Sequence, residues 1–450
     1  MYHPFERSII GDTETVSYDR LCGTDGPVRP VKRTVLKRNR KSIRISHAGG
    51  SNSDQTTILF HRRRKSNSMA DDLKKGLEGV LVAESELSSI DGDAGRLVYR
   101  GYSIEDLAEE ATYEEVLYLL WHGHLPTTAE LEEFSAALTD EREVSEDVLA
   151  TMERLAAADE APMAALRTAV SMFSATEPED DAEPDDLEAS LRKGRRITAK
   201  IPTALAAFER YRLDEEPIDP DPDLGLAANF LYMLTGEEPD DVHAETFDQA
   251  LILHADHGLN ASTFTSMVIG STMADIYSAV TGGIAALSGP LHGGANQDVM
   301  EVLFEIDESG KDPLEWVEGA TEEGRRIPGF GHRVYNVKDP RAKILQRRSE
   351  ELAENGDDKW YEITTTIEEY LTEEKGLVEK GIAPNVDFYS GSVYYQLGIP
   401  IDMYTPIFAM SRAGGWIAHT LEYQEDNRLI RPRGRYTGPE DQEFVALEDR

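Results

Sequence analysis

The chain changes the sign of its charge near residue 69. Residues 1–68 carry 14 Lys and Arg against 6 Asp and Glu, a net +8, whereas residues 69–450 carry the remaining 32 against 79, a net −47. Whatever folds from Met69 onward must therefore close a core beneath a surface that repels itself. That repulsion depends on salt, because the screening length grows from about 3 Å at 1 M to about 30 Å at 0.01 M. A surface this acidic disfavours nucleic acid and anionic membranes as partners. It is the kind of surface used in a saline cytoplasm. The chain has 450 residues, 40% of them hydrophobic, enough for a sizeable core. The single cysteine, Cys22, excludes a disulfide scaffold and any Cys-ligated zinc or iron–sulfur site. No long uncharged apolar run suggests a transmembrane helix, and no secretory signal is apparent, so a cytoplasmic location is expected.

The basic segment 1–68 contains Lys37-Arg38-Asn39-Arg40-Lys41 and Arg62-Arg63-Arg64-Lys65 without amphipathic periodicity. Such a segment buries too little apolar surface to offset its ordering entropy. It is expected to be a disordered, dispensable extension, or sequence upstream of a start at Met69, rather than a nucleic-acid-binding arm.

From residue 100 onward the pattern is helical. Thr112-x-x-Glu115 and Thr127-x-x-Glu130 are capping-box patterns, each followed by apolar residues at helical spacing. Acidic, proline-bearing stretches at 177–188, 214–223 and 237–241 read as loops. Residues 262–288 are rich in small residues and suit one tightly packed internal helix. Alternating β-branched runs with hairpin turns are scarce. The pattern predicts an all-α fold with no repeat of fixed period.

Chemistry concentrates after residue 250, in His254-Ala-Asp-His257-Gly-Leu-Asn260, Gly289-Pro-Leu-His292-Gly-Gly-Ala-Asn296, Ile327-Pro-Gly-Phe-Gly-His332-Arg-Val-Tyr335 with Asp339-Pro-Arg341, and Pro384-Asn-Val-Asp387-Phe-Tyr-Ser-Gly391. A single histidine on a glycine turn is usually only a helix cap. Three clusters that set His or Asp beside Gly and Pro, with Arg412 and Arg431 downstream, point instead to a site. Glycine lets a ligand approach the main chain. A neutral histidine donates to a developing oxyanion, a carboxylate removes a proton, and arginines clamp carboxylates. That set suits enolisation of a carbonyl compound and attack on a carboxylate-bearing partner, without distinguishing aldol, Claisen or lyase chemistry. His254-x-Asp256-His257 with His292 also offers ligands for a metallohydrolase. That reading leaves Asp387 and the arginines without a role. His122, His124, His243 and His419 lack a glycine turn, and core or surface positions are expected for them.

Together the four clusters closely resemble the citrate synthase family, over about Gly76 to Gly438. The resemblance implies an all-helical homodimer with a large domain at 69–292 and 395–450 and a smaller mobile domain at 293–394. It implies His292, His332 and Asp387 as catalytic residues. His257, Arg341 and Arg412 would hold oxaloacetate, and Arg431 would reach the partner subunit's site. Gly329, Gly331, Lys338 and Asn385 would contact CoA. Acetyl-CoA would be a cosubstrate, with no permanently bound cofactor and no metal. A close relative in the family, 2-methylcitrate synthase, uses propionyl-CoA and shares the named residues. Where the family places Lys or Arg after Gly-His-Arg-Val-Tyr, this chain has Asn336, so Lys338 or Arg333 would take the CoA phosphates.

The acidic part carries 10 Lys and 22 Arg against 79 acids. Its melting temperature and activity are expected to rise steeply between about 0.1 and about 3 M KCl as the repulsion is screened. A flat melting temperature across that range in a thermal scan would refute the salt requirement.

Overall fold

The computed structural model describes residues 73–176, 185–356 and 358–450. The expectations for residues 1–68 lie outside them. Residues Gly76–Arg450 form one unit. It opens with a three-stranded antiparallel sheet, β1 (Ser88–Asp91), β2 (Arg96–Tyr99) and β3 (Tyr102–Ser103), in the order β1-β2-β3. The first helices are α1 (Ile104–Glu110), α2 (Tyr113–His122), α3 (Thr128–Asp140), α4 (Glu146–Ala157), α5 (Pro162–Thr176), α6 (Leu187–Arg212), α7 (Leu226–Thr235) and α8 (Asp241–His254). The second half holds α9 (Ala261–Gly270), α10 (Ile276–Leu287), α11 (Ala295–Ser309), α12 (Pro313–Glu322), α13 (Pro340–Asn355), α14 (Lys359–Glu369), α15 (Val386–Gln396) and α16 (Tyr404–Glu425).

Both capping boxes form as their spacing predicts. Thr112 and Thr127 accept from the backbone of Glu115 and Glu130, whose carboxylates reach back to the cap amides. The stretch at 214–223 falls between α6 and α7, and that at 237–241 joins α7 to α8. Residues 262–288 form two helices rather than one. Asp275 caps α10 by accepting from Ser278, which restarts the helix after a turn. The two pack closely, and Ser266 Oγ donates to the carbonyl of Ala279 at 2.9 Å.

Helix α16 is the axis of the unit. Residues 409–420 are buried throughout, among them Trp416, and the helix packs on α2, α5, α6, α8, α9 and α10. A helix buried on every side over three turns can only be a central one.

The small sheet is the element the helical pattern concealed, because its strands are too short to show a period. It supports the 332–338 loop. Gly92, in the β1–β2 turn, lies directly under that loop: its carbonyl accepts from the amide of Asn336 at 3.0 Å, and Asn336 Nδ2 donates to Asp93 at 2.7 Å. A Cβ on Gly92 would stand 1.9 Å from the carbonyl oxygen of Val334, so the contact tolerates no side chain.

Gly92→Ala is accordingly expected to destabilise the protein by about 1–3 kcal/mol, because backbone rather than a movable side chain blocks the methyl. Gly319→Ala serves as the control. It sits inside α12 with nothing within 4 Å of the added methyl, and should stabilise by about 0.5–1 kcal/mol. Chemical denaturation of both variants checks the pair. A harmless Gly92→Ala would contradict the packing.

Candidate active site

Three loops and three helices meet at one cleft of about 470 Å³. His257 comes from the α8–α9 loop, His292 from the α10–α11 turn and His332 from the α12–α13 loop. Arg341 stands in the first turn of α13, Asp387 in the first turn of α15 and Arg412 in the middle of α16. All six line the cleft. Residues more than 150 positions apart in sequence thus share one wall.

Main-chain amides fix the histidines. The amide of Ser262 donates to His292 Nε2 at 3.1 Å, with the Ser262 hydroxyl 2.9 Å from the same atom. The neutral ring therefore carries its proton on Nδ1. Ser262 is held in turn by Trp416, whose indole donates to its Oγ at 3.1 Å. In His332 the order is reversed. The amides of Val334 and Tyr335 donate to Nδ1 at 2.9 and 3.2 Å, which leaves the proton on Nε2. Burial, with the neighbouring Arg412, pushes His292 down to about 4. Burial, with Arg341, does the same to His332. At neutral pH each ring is an uncharged donor. His257 is also held well below its usual range, by burial and then by both arginines, and its Nε2 lies 3.2 Å from the Tyr335 hydroxyl.

The arginines are buried. Arg341 is matched by Asp339, to which Nε and Nη2 donate at 3.0 and 2.7 Å. Among the described residues, Arg412 donates through Nε to the carbonyl of His254 at 2.6 Å, and its Nη2 meets no partner. Burial pulls it down to about 10. Asp387 moves the other way: loss of water raises its carboxyl to about 6, although Arg341 and Arg412 pull it down. A carboxyl poised there is a competent base at neutral pH.

The expected CoA residues divide. Gly329 and Asn385 line an adjoining cavity of about 600 Å³ that also reaches His292. Asn385 caps α15, accepting from the amide of Asp387 at 3.0 Å and donating to the carbonyl of Gly331 at 3.0 Å, so it fixes the loop as well as the base. Gly331 rims both the main cleft and a third cavity of about 610 Å³, where Arg325, Arg326 and Arg333 gather. Lys338 departs from expectation. It faces away from the cleft and is taken up by Gln346 at 2.6 Å and Glu368 at 2.5 Å. Arg431 lies beyond α16, exposed and outside its own chain's cleft.

The four residues of the metallohydrolase reading diverge. His254 faces the carbonyl of Ala250, Asp256 faces Ser88 and His419, His257 faces Tyr335, and His292 faces Ser262. No group of three His, Cys, Asp or Glu side chains among the described residues is placed to hold a metal ion. Sequence reasoning missed Ser262, whose signal was its place two residues after the cap Asn260. It also left His419 without a role, although His419 stands seven residues, two helical turns, after Arg412.

Residues 76–433 match the family model "Citrate synthase, C-terminal domain". A citrate synthase of Haloferax volcanii is 62% identical over 85% of this chain and 100% of its own length. Citrate synthase 2 of Bacillus subtilis is 50% identical over 84% of this chain and 99% of its own, and a 2-methylcitrate synthase of Corynebacterium glutamicum is 39% identical over 84% and 98%. Among solved structures, citrate synthase from Thermoplasma acidophilum, in a ternary complex with carboxymethyl coenzyme A and oxaloacetate, superposes with a TM-score of 0.77 at 35% identity, covering 84% of this chain and all of that one.

The raised Asp387 carboxyl carries a stability consequence. A group whose folded pKa is raised favours the fold while protonated and loses that contribution as pH rises through the folded value. Above about pH 6 ionised Asp387 should cost on the order of 2 kcal/mol, somewhat below the full conversion because the residue is only part-buried. Asp387→Asn is expected to melt higher than the parent near pH 7.5 and to converge with it toward pH about 4. A lower melting temperature at both values would contradict the environment described.

Proposed function

The chain belongs to the citrate synthase family, and from that premise we propose how its residues divide the work of condensing acetyl-CoA with oxaloacetate and releasing citrate and CoA. The observation that carries the assignment is the pairing of two neutral, amide-fixed histidine donors with one poised carboxylate in a cleft walled by two buried arginines.

His257, Arg341 and Arg412 hold oxaloacetate, the arginines taking its carboxylates and Arg412 offering its Nη2, which has no partner among the described residues. Asp387 removes a methyl proton from acetyl-CoA. That proton is weakly acidic, so the enolate oxygen must be stabilised as it forms. His292 donates to it from Nδ1–H, and a preorganised donor of this kind is worth about 3–4 kcal/mol. His332, through Nε2–H, polarises the ketone of oxaloacetate. The enolate carbon attacks the ketone carbon, and His332 gives its proton to the new alkoxide. Hydrolysis of the resulting thioester frees citrate and CoA. Each step up to that hydrolysis is assigned to a side chain.

Arg326 and Arg333 are exposed beside His332 in a cavity that Arg325, Ile327, Phe330, Leu371, Leu377 and Ile382 also line, and we assign the CoA phosphates to them. The ion pair of Lys338 with Glu368 argues against the lysine. Segment 293–394 serves as the mobile smaller domain against 69–292 and 395–450, excluding water until condensation is complete. The segment after α16 leaves Leu429, Tyr436, Phe444 and Leu447 exposed, which favours a homodimer in which Arg431 reaches the partner subunit's site. No helix among the described residues is long and apolar enough to cross a membrane. A cytoplasmic enzyme adapted to salt is the setting that the acidic surface favours.

A thiol-release assay with oxaloacetate, run side by side with acetyl-CoA and propionyl-CoA in concentrated KCl, tests this reading. Faster release from acetyl-CoA is expected; faster release from propionyl-CoA would turn the assignment to 2-methylcitrate synthesis. Asp387→Asn should lose about 10²–10⁴ in kcat while keeping oxaloacetate affinity, because the amide keeps the shape but takes no proton. An equal loss of oxaloacetate affinity would remove Asp387 from the role of base.

A further inference from the structure

Behind the oxaloacetate wall lies a second polar layer. Asp256 and His419 are both buried, with His419 Nε2 3.0 Å from Asp256 Oδ1. Since a carboxylate only accepts, His419 donates from Nε2. Oδ2 of Asp256 accepts from the Ser88 hydroxyl and from the amide of Gly258 at 3.1 Å. The main chain of Asp256 is held as well: its carbonyl accepts from the Tyr99 hydroxyl at 2.7 Å, and its amide donates to that hydroxyl at 3.2 Å. Every polar atom of Asp256 is therefore engaged, by side chains from β1, β2 and α16 and by the turn it belongs to.

That turn carries His257, the next residue, and ends α8 at His254, whose carbonyl receives Arg412. Arg412, Gly415 and His419 occupy one face of α16, at i, i+3 and i+7. Gly415 lets the turn come close: a Cβ there would lie 2.4 Å from the carbonyl oxygen of Ala255 and 2.9 Å from Asp256 Oδ1. One helical face thus grips one turn at three successive points. Between them they set both His257 and Arg412.

We propose that Asp256 and His419 form a positioning pair that fixes His257 and Arg412 for oxaloacetate and supplies the counter-charge to Arg412 before substrate arrives. Among the described residues Arg412, unlike Arg341, bonds no carboxylate. Against the penalty of burial, His419, Arg412 and Ser88 hold Asp256 ionised, down at about 2. A buried charge kept at that cost makes sense where another charge depends on it. The pair touches neither Asn385, which caps the helix of Asp387, nor the amides of Val334 and Tyr335, which orient His332. Its direct contacts fall on the turn and the helix that carry the oxaloacetate residues rather than on the elements that hold Asp387 and His332. The inference rests on the assignment of His257 and Arg412 to oxaloacetate.

The test is direct calorimetric binding of oxaloacetate to the full chain, alongside steady-state kinetics. His419→Ala should weaken oxaloacetate binding roughly tenfold or more, the loss expected when a charge-assisted hydrogen bond is removed. KM for oxaloacetate should rise with it, while kcat and KM for acetyl-CoA stay within about threefold, the signature of lost uniform binding. His419→Gln, whose amide can donate to the same oxygen, should recover most of the affinity. Should His419→Ala not fold, Ser88→Ala removes one donor to Asp256 from the edge of the fold and should weaken oxaloacetate binding by roughly two- to fivefold. A lower melting temperature with unchanged oxaloacetate affinity in the variants would overturn the proposal, as would a fall in kcat with KM unmoved. Failure of the parent protein to bind oxaloacetate at all would instead overturn the substrate assignment, and with it the proposal that rests on it.

Discussion

Two guanidinium groups buried in one cleft set the terms for everything around them. Arg341 and Arg412 cannot leave their charge uncompensated in a low-dielectric interior, and the two solutions differ. Arg341 is satisfied locally, by a carboxylate two residues back that also caps its helix. Arg412 is satisfied at one remove, through the carbonyl of His254 and the charge of Asp256. Together with burial, their field keeps His254, His257, His292 and His332 uncharged. A cleft with positive walls and neutral histidines attracts a dicarboxylate, and it leaves the histidine N–H groups free to donate without competing cations.

Direction matters as much as charge. A neutral imidazole has one donor, and which nitrogen carries it decides whether the ring can stabilise a given oxygen. Here the choice is made by backbone amides, which cannot rotate away. Ser262 opens α9 and is secured by the indole of Trp416. Val334 and Tyr335 belong to a loop that sits on the β1–β2 turn, through Gly92 and Asp93. The small sheet is minor in extent, yet it is the floor on which the His332 loop rests.

The sequence made the all-helical class and the six cleft residues legible, for physical reasons. Capping boxes declare helix starts by spacing alone, as at Thr112 and Thr127. Reactive side chains on glycine turns declare themselves because turn and chemistry are adjacent in the chain. What stayed hidden was reached only through space. Ser88 and Asp256 are 168 positions apart, and His419 and Asp256 are 163 apart. Asp256 read as a possible metal ligand because its neighbours are histidines, whereas its carboxylate turns inward to another helix. Lys338 read as a phosphate ligand because it stands near the usual basic position, whereas Glu368 on α14 takes it. The strands were too short to impose a period, and the break between α9 and α10 fell inside a run rich in small residues.

Helix α16 acts as a ruler as well as an axis. Residues 412, 415 and 419 meet the α8–α9 turn in register because a helix advances about 100° and 1.5 Å per residue. Substitutions along its other faces leave that register intact. A single-residue insertion between Arg412 and His419 would not: it would swing His419 about 100° off the turn while Arg412 stayed in place, separating the binding cation from its buried support. Deletion of one residue would do the same with the opposite hand. Length variation in this family of folds should therefore collect in the loops between helices, such as the acidic connection between α6 and α7, and avoid the span of α16 that faces the turn.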